Sequence, residues 1–166
     1  MHKKLVRKRK IYSYNLTDGS PYNLHKLLED KNIVIVGVEE VYTSRYGGFE
    51  KYLDSIRDVT HVIPYKSKTH YGSLGGIFQN IYEIDEPTII EDIDTYEKLT
   101  GLKPGIDMSH KIWKTTVDWF KIKGNYGMLW HAKLVKEITI SFRDTTIKTR
   151  TRFGYVNENN EIYKCF

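Results

Sequence analysis

Residues 32–38 read Asn-Ile-Val-Ile-Val-Gly-Val, an apolar run dominated by β-branched side chains. Such a run suits a pleated strand better than a helix, and its unbroken apolar character predicts cover on both faces. It therefore predicts a central strand, and the rest of the chain has to supply the layers around it.

The flanking pattern does so. Ile11 to Leu16 alternates with period two, placing Tyr12, Tyr14 and Leu16 on one face of a strand. Thr17-Asp18-Gly19-Ser20 reads as a turn, and Ser20-Pro21 as the cap and first residue of a helix to about Asp30. After the central strand, a loop to Tyr46 leads into a helix from about Gly48 to Ile56, with Phe49, Tyr52, Leu53 and Ile56 at helical spacing. His61 to Tyr65 is a further strand, and residues 66–76 (KSKTHYGSLGG) show no hydrophobic period, as expected of a loop.

Pro87 is expected to open a helix with Ile89, Ile90, Ile93, Tyr96 and Leu99 inward, stopped by Gly101 and Pro104. Ser109 caps a following helix whose buried stripe is Ile112, Trp113, Val117 and Phe120. From Met128 onward, short alternating runs predict strands over 138–142, 147–155 and 162–166. The sum is an α/β or α+β fold: a single domain over residues 11–166, with a βαβαβ-like N-terminal half and a C-terminal antiparallel meander on a mixed sheet.

Charge is distributed unevenly. The net charge of +5 arises from 26 Lys+Arg against 21 Asp+Glu, and six of those cations fall in the first ten residues: Lys3, Lys4, Arg7, Lys8, Arg9 and Lys10. The remainder carries 20 cations against 21 acids, so the basic character belongs to an arm over residues 1–10. Conversely, Glu83, Asp85, Glu86, Glu91, Asp92, Asp94 and Glu97 form a stretch without a single Lys or Arg. That stretch reads as the solvated face of a helix, or as a docking surface for a basic partner such as the arm of another copy.

At 166 residues the chain can bury a core without a covalent staple. Its one cysteine, Cys165, closes no intramolecular disulfide, and the six histidines show no H-x-H or H-x-x-x-H spacing. No serine lies in a G-x-S-x-G turn. Neither a metal site nor a cofactor is implied. No apolar run approaches the roughly 18–20 residues that span a bilayer, and only Leu5 and Val6 interrupt the basic N-terminus, so no membrane association and a cytoplasmic location are expected. The chain is tyrosine-rich, with 13 Tyr and a single alanine at Ala132. Its preference for Lys, Ile, Tyr and Asn, all with AT-rich codons, suggests a phage, mobile element or low-GC bacterium.

Three candidate sites follow. Lys148, Arg150 and Arg152 alternate along one expected strand and share a face, with Arg143 on the preceding strand's polar side; a basic ribbon of this kind reaches phosphates, or simply keeps a sheet face solvated. Arg45, Gly47 and Gly48 stand at the start of a helix, where free amides attract anions, and Glu39 or Glu40 just past the strand end would serve as acid or base. A tight turn accounts for the same glycines. Lys66, Lys68 and His70 beside Tyr71 make the third, in the glycine-rich loop.

Residues 11–53 resemble the opening of glutathione peroxidases and peroxiredoxins. Tyr14-Asn15-Leu16-Thr17-Asp18-Gly19 is similar to their first strand and turn, and Ile33 to Val36 to their central strand. Thr43-Ser44-Arg45-Tyr46-Gly47-Gly48-Phe49-Glu50 is similar to the stretch after their nucleophile, and residues 150–162 to their closing hairpin. The resemblance implies a thioredoxin-like fold, but the nucleophile would fall near Glu40, where there is no cysteine, so peroxidase activity would be lost. Residues 45–50 also resemble a sugar-nucleotide loop of some glycosyltransferases, whose two-domain fold needs a far longer chain.

Two functions are consistent with these features. One is a non-enzymatic binding or assembly protein that engages nucleic acid or another polyanion through residues 3–10 and the basic strand, alongside a protein partner or self-assembly. The other is an enzyme or small-ligand protein holding an anionic, nucleotide-like or phosphorylated ligand at residues 33–56.

Overall fold

The computed structural model describes residues 8–16, 24–147 and 151–166. The fold is α+β. Its strands are β1 (Ile11–Leu16), β2 (Ile33–Glu39), β3 (His61–Lys66), β4 (Ile77–Ile84), β5 (Thr88–Ile90), β6 (Asn125–Ser141) and β7 (Phe153–Tyr155). Its helices are α1 (Leu24–Lys31), α2 (Glu40–Ser44), α3 (Phe49–Arg57), α4 (Lys68–Tyr71), α5 (Ile93–Thr100) and α6 (His110–Lys121). The sheet is mixed and runs β2-β6-β4-β3-β1-β7, with β5 also on β6. The chain divides into two compact units, residues 1–15, 58–85 and 133–166, and residues 16–57 and 86–132.

The second unit is built on β2. Its first four residues are buried, as their apolar run predicts, yet β2 stands at one end of the strand order and, among the described residues, pairs with β6 alone, antiparallel from Ile33 opposite His131 to Glu39 opposite Asn125. The expectation of a central strand is therefore corrected. Cover comes instead from helices, α1 with buried Leu24, Leu27 and Leu28, and α6. At the α6 contact two glycines face each other across the ladder, Gly37 and Gly127. A Cβ on Gly37 would lie 2.9 Å from Trp119 Cζ2, and one on Gly127 would lie 3.4 Å from Phe120 Cζ. The missing side chains are what let the helix seat its two aromatics on the sheet. Thr116 is the buried residue of α6, while Ile112, Trp113, Val117 and Phe120 are half-buried.

The helix expected from Pro87 begins later. Residues 88–90 pair with Leu129, Met128 and Gly127 as β5. Asp92 caps α5 by accepting the Thr95 N–H at 2.7 Å, which holds its carboxyl below the usual carboxylate range. The acidic stretch therefore spans the end of β4, all of β5 and the start of α5, with its seven acids exposed, and is not one helix face.

In the first unit Ile11, Ile63, Tyr65, Phe78, Ile81, Ile147, Val156 and Ile162 form a buried cluster, with Ile138, Ile140, Tyr163 and Phe166 packed on it. The expected meander is shorter than its pattern suggests. β6 is a single 17-residue strand that subsumes residues 138–141, β7 is only three residues, and residues 161–165 form a 3₁₀ turn, not a strand. Asn160 starts that turn by accepting the Ile162 N–H at 3.1 Å.

β1 and β2 are not neighbours, so the βαβ unit implied by the peroxidase resemblance is not formed. In the observed order β1 instead neighbours β3, and β2 pairs antiparallel with β6.

Candidate nucleic-acid interface

The arm enters the fold at the β1–β7 ladder. Lys10 is fixed three ways: its N–H donates to Thr60 Oγ1 at 2.9 Å, its carbonyl accepts the Thr60 and His61 N–H groups, and its Nζ lies 2.8 Å from Asp58 Oδ1. The Arg9 guanidinium sits 4.2 Å from the centre of the Phe166 ring, a cation–π contact that leaves its charge available. Lys8 Nζ lies 3.2 Å from Glu158, but both side chains are largely exposed, and such a pair is weak and exchangeable. Lys3, Lys4 and Arg7 lie outside the described residues.

β1 pairs antiparallel with β7, Tyr12 opposite Tyr155 and Tyr14 opposite Phe153. The ladder is extended at both ends by Val156 N–H to Ile11 O at 2.9 Å and Asn15 N–H to Arg152 O at 2.8 Å. A single hydroxyl clamps one end. Tyr163 accepts the Ile11 N–H at 3.0 Å and donates to Val156 O at 3.3 Å, and burial raises its pKa above the ordinary phenol value.

This register assigns the basic residues to opposite ends of one ladder. The arm meets the Ile11 end, and Arg152 meets the Asn15 end. Five residues separate Lys10 from Asn15, a rise of about 17 Å along an antiparallel strand. Arg152 is exposed and lies just before β7, while Lys148 and Arg150 are outside the described residues. Arg143 is in a 3₁₀ turn, Phe142–Asp144, and not on a strand face.

At the Ile11 end of the ladder lies a polar pocket of about 490 Å³ lined by Thr146, Ile147, Tyr155, Val156, Asn157, Asn159 and Asn160. Asn160 is committed to the fold, donating to Thr146 Oγ1 at 3.0 Å and accepting from Ile162 N–H. Tyr155 is 51% exposed, packed edge-on to Tyr12 with ring centres 5.9 Å apart. Asn157 and Asn159 are exposed on the same turn. Sequence reasoning missed this pocket. Its only signal there is the Asn-rich turn at 157–160, which marks a turn without showing what it lines.

The other two candidate sites are placed as follows. In the unit 33–56, the Gly47 and Gly48 N–H groups donate to Ser44 O at 3.1 Å and Thr43 O at 3.0 Å, ending α2. Both glycines have φ values in the left-handed region, +90° and +114°, so the turn itself explains them. Glu39 ends β2 and Glu40 begins α2, both exposed, with Glu40 against Gly124. Arg45 caps the far end of α2, away from an open amide cradle. What does gather there is aromatic: Tyr42, Tyr46 and Tyr52 have ring centres 5.1–5.6 Å apart. Burial, then the Tyr46 hydrogen bond and the charge of Tyr46, push the Tyr42 pKa up to about 12 against an opposing pull from Arg45.

In residues 66–76 the expected loop is a short helix, α4, followed by a 3₁₀ turn. Lys66 Nζ already sits 5.6 Å from the Tyr71 ring centre, while Lys68 and His70 are exposed. His131 is an exposed residue of β6 opposite Ile33. Among the described residues no three His, Cys, Asp or Glu side chains gather as metal ligands, and no helix is long and apolar enough to cross a membrane.

No family model matches the chain, and no curated protein matches it. Among solved structures it is similar to the N-terminal domain of Staphylothermus marinus McrB, with a TM-score of 0.45 and 11% identity over 86% of this chain and 82% of that chain.

Proposed function

We propose that this chain is a non-enzymatic binding protein for nucleic acid or a comparable polyanion, gripping phosphates with the basic segment Lys3–Lys10, in which Lys10 serves as the anchor to the fold, and with Arg152, helped by Lys148 and Arg150. The observation that carries this reading is the register of the β1–β7 ladder, which supports two cationic ends about 17 Å apart, with an exposed tyrosine on the ladder and an asparagine turn at its Ile11 end. Phosphate contacts fix position, whereas Tyr155 offers a stacking face and Asn157 and Asn159 offer amides to a base edge. Affinity then depends mainly on salt, and sequence preference is weak.

The span sets a length requirement. At 3.4 Å per base pair, bridging the two ends takes about five base pairs of duplex. Fluorescence anisotropy against duplexes and single strands of increasing length is expected to show affinity rising steeply past that length and then levelling. An Arg152→Gln variant is expected to flatten the rise. Absence of binding to any DNA or RNA at low salt would overturn the reading, and would return attention to the Tyr42–Gly48 turn and to small anionic ligands.

A further inference from the structure

β6 is longer than the strand that covers it. β2 pairs with β6 from Asn125 to His131, and the last bond on that side is Ala132 N–H to Asn32 O at 2.8 Å. β5 pairs with β6 only over Gly127–Leu129, so β4 is the one strand among the described residues left to pair with β6 from Lys133 onward. The other edge of that stretch carries no strand among the described residues. Residues 133–137 are all exposed, Leu134 at 41% and Val135 at 40%. An open edge of this kind presents a row of unpaired backbone groups, which proteins normally cover, bulge or defend with charge.

The sequence of the open segment is Lys133-Leu134-Val135-Lys136-Glu137. Lysines alone would repel a second strand. Glu137 changes that, because the segment is complementary to itself when run antiparallel about Val135. Lys133 then faces Glu137 of the partner subunit, and by symmetry the same pair recurs at the other end. Leu134 meets the methylene stem of Lys136 of the partner subunit, and Val135 meets its own copy. Side chains alternate along the strand, so Lys133, Val135 and Glu137 share the face opposite to Ile138 and Ile140, which pack on the core. The paired charges thus project away from the core, and no buried ion is created.

We propose that this edge is the dimerisation site of the chain: two copies join by antiparallel pairing of residues 133–137 across a twofold axis at Val135. A five-residue edge buries much less than the roughly 1,200–2,000 Å² of a stable interface, so the dimer is weak and concentration-dependent. The inference is independent of nucleic-acid binding, although a dimer would present two basic arms on one polyanion.

Sedimentation equilibrium of the full chain over a wide concentration range tests it. The wild type is expected to pass from monomer to dimer. Glu137→Lys and Lys133→Glu, each turning two attractive pairs into two repulsive ones, are expected to weaken association about tenfold or more. The swapped double variant K133E/E137K restores the pairs and is expected to return to within about threefold of the wild type. Both positions are exposed, and circular dichroism checks that each variant stays folded. A wild type that remains monomeric overturns the proposal and leaves the edge to a strand from elsewhere. So does a dimer that ignores Glu137→Lys, or a swap that fails to restore association.

Discussion

Replacing Lys3, Lys4 and Arg7 together by glutamine tests these cations of the arm apart from Lys10, which is anchored in the fold. Lys10 is only 26% exposed and its Nζ is 2.8 Å from Asp58, so its charge is engaged within the fold. Lys8, Arg9 and Lys10 are untouched in the triple variant, so the stability of the fold is expected to stay unchanged. On duplex DNA each neutralised phosphate contributes about 0.9 to the slope of log affinity against log salt, so three lost cations lower that slope by about 2.7. A rise in salt from about 50 to about 200 mM then weakens the wild type about 40-fold more than the variant. Lys10→Gln provides the contrast: it is expected to change the slope by less than about 0.5 while lowering the unfolding midpoint. The assay is fluorescence anisotropy with one labelled duplex across a salt series. If the triple variant keeps the full slope, the arm does not touch phosphate. If Lys10→Gln lowers the slope as much per charge as the triple change, the ion pair with Asp58 does not hold in the complex.

Three further outcomes follow from the packing. Gly37→Ala sets a methyl 2.9 Å from Trp119 Cζ2 and is expected to cost about 1–2 kcal/mol in urea denaturation, with most of the loss cancelled in a Trp119→Leu background. Tyr163→Phe leaves the Ile11 N–H without its acceptor and is expected to cost about 1–3 kcal/mol, read by the same assay. Tyr42 is expected to ionise near pH 12 in an absorbance titration, and Tyr46→Phe to bring it down toward the ordinary value of 10.0 by removing the hydrogen bond. Because the folded value lies above the unfolded one, any stabilisation from the neutral phenol is fully present below pH 10.0 and disappears as pH rises through about 12. A Tyr42 that titrates normally would show that the Tyr42–Tyr46 contact is not maintained in solution.

Local pattern settled the elements whose stabilising contacts are local. The β-branched run made β2 a strand, Ser109 capped α6 through the Ile112 N–H at 3.2 Å, and the spacing of Tyr52, Leu53 and Ile56 made α3 a helix with those three residues buried. The arm was visible because charge segregation needs no fold to be seen. What the pattern could not reach were decisions made by distant partners. Residues 88–90 became a strand because Leu129, Met128 and Gly127 were there to receive them, and a helical period in the sequence could not report that. β2 went to the end of the strand order, and not to its centre, because lateral position is set by backbone pairing, and apolar faces report only that layers cover them. The pocket at Tyr155 and the asparagine turn exists only because Tyr163 and the β1–β7 register bring residues 11, 155 and 163 together. Composition gave the chain its charge and its strands; the long-range pairing chose which of them meet.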